Sequence, residues 1–140
     1  MRRSPYQRVD VEKPVSFARK DPTMPPATPP ATPPGTPKAD VITWSNLPAQ
    51  TADGVERRSF PGTGASLKHI VIKAGTAAPR HAHAHEQFVI VVEGRALLTC
   101  EAGPVDLRPG MVIRFDPEAW HSADFIEDTV LIEVNLNPAG

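Results

Sequence analysis

The chain has 140 residues and a single cysteine, Cys100, so neither an internal disulfide nor a cysteine-based zinc site is available. Any metal must be held by histidine, carboxylate or amide. Aromatic residues are scarce at 6%, with Tyr6 the one tyrosine. Charge of one sign is also lacking: 15 Lys/Arg stand against 16 Asp/Glu. The imbalance is local. Residues 1–24 carry six basic and three acidic side chains, which leaves nine basic against thirteen acidic in the rest. A mildly acidic remainder gives no electrostatic footprint for nucleic acid, and no DNA-binding helix pair is visible. No apolar run approaches the roughly 20 residues that cross a bilayer, so no membrane span is expected. The opening Met1-Arg2-Arg3-Ser4-Pro5-Tyr6 is basic without the apolar segment of a secretory signal, and a cytoplasmic location is expected.

Proline and histidine are what the chain has in quantity and in clusters. Seven of the 17 prolines fall between Pro25 and Pro37, in a repeating Pro-Pro-Ala-Thr unit. Each proline fixes φ and removes a backbone donor, so neither helix nor sheet runs through this stretch. It reads as an extended spacer. The expected organisation is an N-terminal arm over 1–24, a Pro-rich linker over 25–38 and one domain over 39–140. In the arm, Val9, Val11, Val15 and Phe17 alternate loosely around Pro14, which suits an edge strand, one exchanged with a neighbouring subunit, or disorder.

Beyond the linker, short β-rich runs at 67–73, 87–92, 95–101, 111–115 and 129–136 follow one another. Breaks at Gly75, Pro79, Glu93-Gly94, Gly103-Pro104, Pro109-Gly110 and Asp116-Pro117 separate them. No helical periodicity intervenes, so the fold class expected is all-β, a sandwich or barrel. The nearly continuous apolar run Gln87-Phe88-Val89-Ile90-Val91-Val92 predicts a strand buried on both faces.

Three of the five histidines lie in His81-Ala82-His83-Ala84-His85-Glu86-Gln87, with His69 and His121 elsewhere. Read alone, this run is either a His/Ala-rich surface loop or a ligand strand. On an extended strand, His81 and His83 point the same way about 7 Å apart and converge on one ion if the strand curves. His85 and Gln87 share that parity if no turn intervenes, and Glu86 then faces away. Phe115, Val89 and Ile113 fall where alternation makes them an apolar pocket wall. Trp120 is read as a roof over the pocket or as an interface or core residue, His69 as a strand residue facing solvent or a neighbour, and Arg57, Arg58 and Arg80 as attractors of an anion or ordinary exposed arginines.

The spacing Gly75, five residues, His81-Ala82-His83, three residues, Gln87, six residues, Gly94 resembles the first motif of the cupin superfamily, with glutamine in place of glutamate. The stretch from Gly110 through Asp116-Pro117-Glu118 to His121 is similar to the second, with Asp116 and Glu118 where proline and glycine are usual. The resemblance covers about 53–136. It implies a single small cupin (double-stranded β-helix, or jelly-roll) barrel of six to eight strands and a homodimer. It also implies one divalent transition metal (Zn, Ni, Fe, Mn or Cu) held by His81, His83, Gln87 and His121. The His-rich run together with Trp44-Ser45-Asn46-Leu47 and Gly54-Val55-Glu56-Arg57-Arg58 is similar to cupins that ketonise unsaturated uronates. In these a downstream aspartate acts, and Glu133 stands near its position. The activity implied is Lewis-acid chemistry on a small oxygenated substrate (carbonyl, uronate or enolisable), with His85 and Glu133 as catalytic candidates. An Fe-dependent dioxygenase and a non-catalytic ligand- or metal-binding cupin are the alternatives.

Overall fold

Ten antiparallel strands make up the computed structural model of this chain, which describes residues 35–137. The arm at 1–24 and the linker up to residue 34 lie outside the described residues. From Asp40 the chain forms one compact unit. After a 3-10 turn at Trp44–Asn46 come β1 (Gln50–Ala52), β2 (Val55–Pro61), β3 (Ala65–Ile72), β4 (Ala77–His81) and β5 (Gln87–Glu93). They are followed by β6 (Ala96–Cys100), β7 (Gly103–Leu107), β8 (Val112–Phe115), β9 (His121–Phe125) and β10 (Thr129–Leu136). Six strands form one sheet in the order β1-β2-β3-β10-β5-β8, and four form the other in the order β4-β9-β6-β7. The architecture is the all-β jelly-roll barrel expected, with more strands than the six to eight anticipated. No α-helix occurs among the described residues, and none of their helices is long and apolar enough to cross a membrane.

Period-two alternation builds the core. Ile70 and Ile72 of β3, Val89 and Val91 of β5, Leu98 of β6, Leu107 of β7, Phe115 of β8, Phe125 of β9 and Leu131 of β10 turn inward and are buried. Strand β5 is therefore not buried on both faces, as its composition predicts. Gln87, Val89 and Val91 are buried, Phe88 and Ile90 are half-buried, and Val92 is 42% exposed. The outer face of this sheet has no second layer of its own chain among the described strands, so the apolar side chains there stay partly in water.

Two expected breaks lie inside strands. Pro79 sits in β4 and Pro104 in β7. Both strands are edges of the four-stranded sheet, where a missing N–H costs no ladder bond, and the β4–β9 register slips between Ala78 and His81 around Pro79. Conversely, the extended run anticipated through 81–87 stops at His81, and residues 82–86 form a connecting loop. That loop is pinned at both sides: the Glu118 amide donates to the His83 carbonyl at 2.7 Å and the Leu136 amide to the Glu86 carbonyl at 3.0 Å. Strands β1 and β2 are joined by Asp53-Gly54, both with positive φ (52° and 80°), the geometry of a two-residue type I′ hairpin turn.

Candidate metal centre

Strand pairing brings the histidines together. His81 closes β4 and His121 opens β9, and the two are direct cross-strand partners. Their rings lie 4.3 Å apart centroid to centroid. His83, in the loop after β4, comes within 4.9 Å of the His81 ring and 5.5 Å of the His121 ring. One ligand atom from each of the three lies within 4.8 Å of the others. A single ion with metal–nitrogen bonds of about 2.1 Å spans such a triangle after small ring rotations.

The rings are oriented by their own backbone. His81 Nδ1 lies 2.7 Å from the Pro79 carbonyl oxygen and His121 Nδ1 lies 3.1 Å from that of Ala119. Each Nδ1–H donates to the carbonyl two residues earlier, which fixes the tautomer and leaves the Nε2 lone pair for a metal. The Phe115 ring stacks on His121 at 4.0 Å and 16°, holding it from the other side. Burial pushes the His83 imidazole below its ordinary value, with His81, His121 and His85 adding to the effect. Burial lowers His121 as well, against its Ala119 bond, which raises it. Neutral imidazole is the ligating form.

Gln87, 2% exposed, opens β5 directly opposite Asn135 of β10. Its amide nitrogen donates to Asn135 Oδ1 at 2.8 Å. With the NH₂ committed behind it, the Gln87 carbonyl oxygen is the atom left for the lumen. His85 Nε2 lies 3.0 Å from the same Asn135 oxygen, and its ring stacks on His83 at 5.2 Å. His85 does not line the cavity that the other candidates share. Asn135 escaped the sequence reading. Its signal was position, two residues past Glu133 on an alternating strand.

The cavity encloses about 500 Å³, and His81, His83, Gln87, His121 and Glu133 all line it. Burial pushes the Glu133 carboxyl up, while Lys68, Arg57 and the Asn135 amide pull it back. Val89, Ile113 and Phe115 form part of the wall, as alternation predicts. Trp120 does not line this cavity and packs under the Arg80 guanidinium at 4.0 Å. Glu86 faces away and pairs with Arg114 at 3.1 Å. His69 lies on the outer face against Trp44, with ring centroids 5.4 Å apart. Of the three arginines considered, only Arg57 reaches the cavity, while Arg58 turns back to Glu56 and to the Leu47 carbonyl.

Residues 68–134 match the family described as Cupin domain. No curated protein sequence matches the chain. Among solved structures, an RmlC-like cupin from Shewanella frigidimarina is similar at 19% identity and a TM-score of 0.66, over 73% of this chain and 94% of its own. KdgF from Halomonas sp. is similar at 19% identity and 0.64, over 73% and 97%. Ectoine synthase from P. lautus is similar at 20% identity and 0.64, over 70% and 78%. At these identities the likeness shows the fold.

Proposed function

We propose that this chain, similar to the Cupin domain family over residues 68–134, binds one divalent transition metal (Zn, Ni, Fe, Mn or Cu) through His81, His83, Gln87 and His121 and works as an enzyme on a small oxygenated substrate. The observation that carries this reading is the convergence of three imidazoles with two Nδ1 positions already tied to backbone carbonyls. The donor set fits such an ion: three neutral nitrogens and an amide oxygen suit borderline metals and leave the full 2+ charge unneutralised. When bound, the ion supplies Lewis-acid polarisation of a carbonyl, carboxylate or enolate oxygen.

The remaining chemistry belongs to the chain. Glu133 faces the same cavity with a carboxyl held toward its neutral form by burial, so it takes the role of proton donor and acceptor to an enolisable substrate. His85 acts behind Gln87 through Asn135 rather than on substrate. The apolar wall excludes water from the reacting end. We further read the protein as a cytoplasmic homodimer that binds neither nucleic acid nor membrane.

Turnover of carbonyl or uronate substrates by metal-loaded protein, abolished in His121→Ala while the variant stays folded, is the expected result. A bound ion with no turnover across those substrates would instead make the protein a non-catalytic binding cupin.

A further inference from the structure

Six arginines lie among the described residues, and five of them have partners there. Arg58 bonds Glu56 and the Leu47 carbonyl, Arg95 and Arg108 share Asp106, Arg114 bonds Glu86 and Asp116, and Arg80 covers Trp120. Arg57 makes no hydrogen bond, close ion pair or ring contact among the described residues; its electrostatic neighbour is Glu133, which lines the same cavity of the three histidines. Its place follows from β2, where Val55 and Arg57 alternate inward opposite Ile72 and Ile70 of β3. Glu56, the acid beside it in sequence, is occupied by Arg58 on the other face. Asp53 also lines the cavity but sits at the exposed hairpin tip. Lys68, opposite Glu133 across β3 and β10, adds a second positive charge near the same end.

The rest of the lining is apolar. Beyond the four donor candidates, its polar side chains are Asp53, Arg57, Thr76 and Glu133. Ile72, Leu98, Leu107, Phe125 and Leu131, all buried, are among its apolar lining. Away from those polar side chains the wall gives the hydroxyls of a sugar ring no partners, and each hydroxyl buried without one costs free energy. A hydrocarbon body gains there, and a guanidinium fork whose N–H groups have no hydrogen-bond acceptor, beside a Glu133 that burial holds toward its neutral form, matches a carboxylate through two parallel N–H···O bonds.

We propose that the cavity takes a small carboxylic acid with a hydrocarbon body, its carboxylate on Arg57 and its chain against the apolar wall, rather than a sugar acid. This narrows the substrate class of the metal-centre reading and rests on it only for what happens to the ligand, since neither Arg57 nor the apolar wall is among the four proposed donors.

Titration calorimetry of zinc-loaded and metal-free protein with 2-oxohexanoate, pyruvate, hexan-2-one and galacturonate tests it, with Arg57→Gln alongside. Arg57 is exposed, so the variant keeps the fold. The expected result is 2-oxohexanoate binding at least about tenfold tighter than hexan-2-one or galacturonate in both forms, with a loss of about fourfold for each methylene removed toward pyruvate. In Arg57→Gln the advantage over the neutral ketone should disappear. Galacturonate binding as tightly as 2-oxohexanoate, unchanged affinity in Arg57→Gln, or no saturable binding at millimolar concentration would each overturn the proposal. Carboxylate selectivity without zinc uptake would defeat the metal reading alone, and zinc uptake without selectivity would defeat this one alone.

Discussion

Asn135 illustrates how one residue sets the chemistry of its neighbours. Its side-chain oxygen accepts from Gln87 and from His85, so it decides which end of the Gln87 amide faces the histidines. Asn135→Leu strands both donors and frees the amide to rotate. Metal affinity, read by competition with a chromophoric chelator, should fall by about 10–100-fold, while Asn135→Asp, which accepts from both but loses the amide bond to Glu133, should lose less than Asn135→Leu. Equal affinity in Asn135→Leu and wild type would show that Gln87 is not held this way. A second residue-scale effect lies at Glu118, whose φ of 66° is left-handed and whose amide pins the His83 carbonyl. Glycine is usual at this place in the resembling motif because only glycine adopts that conformation without strain. Glu118→Gly should raise stability by about 0.5 kcal/mol in chemical denaturation, the relief of left-handed strain less the added chain entropy.

At the scale of elements, the glycines of the first motif act as backbone devices. Gly94, between β5 and β6, has φ of 92°, and a Cβ there would sit 2.3 Å from the Asp128 carbonyl oxygen and 2.6 Å from the Thr129 Cα. Gly94→Ala should therefore cost about 2–4 kcal/mol of stability, from backbone strain and overlap together, and a loss under 1 kcal/mol in urea unfolding would contradict that close approach. The strands rich in Val, Ile and Leu were legible in the sequence because their alternation is clean: β3, β5, β6, β8 and β10 fall where the apolar runs do. Strand β2 was missed because Glu56, Arg57 and Arg58 mask its alternation, although Asp53-Gly54 marks its hairpin turn. Strands β4 and β7 were missed because Pro79 and Pro104 read as breaks, and only the sheet order reveals that both strands are edges. The histidine set was legible from spacing, but for a different geometric reason than strand parity: His81 and His121 meet by pairing, while His83 is carried by a loop. The roles of Asn135 and Arg57 depend on contacts across strands that a linear pattern does not contain.

For the whole molecule, burial of titratable groups couples folding to pH. His83 and His121 have folded values held below 6.5, so the unfolded chain takes up their protons first as pH falls. Their contribution is complete above about 6.5 and is lost below it, so the melting temperature of metal-free protein should drop as pH falls from 6.5. Glu133 works in the opposite sense. Its folded value lies above 4.5, so its contribution is present below that pH and is lost as pH rises; Glu133→Gln should melt higher than wild type at neutral pH. A pH-independent difference between the two proteins would contradict the burial of this carboxyl. The outer face of the six-stranded sheet belongs to this scale too. Val112, 61% exposed, stands opposite Ile90, with Val92 farther along β5 on the same face. The homodimer reading assigns this patch to a second copy, and Val112→Lys should then halve the mass seen by light scattering; an unchanged mass would place the contact elsewhere.

The most direct measurement is an anomalous difference map at the absorption edge of whichever metal elemental analysis finds in the purified protein, recorded for wild type and for His83→Ala. One peak per chain, within bonding distance of ring nitrogens of His81, His83 and His121 and of the Gln87 carbonyl oxygen, and absent in the variant, is expected. A stoichiometric ion retained in His83→Ala, or a peak bound by other residues, would contradict the assignment of these four donors.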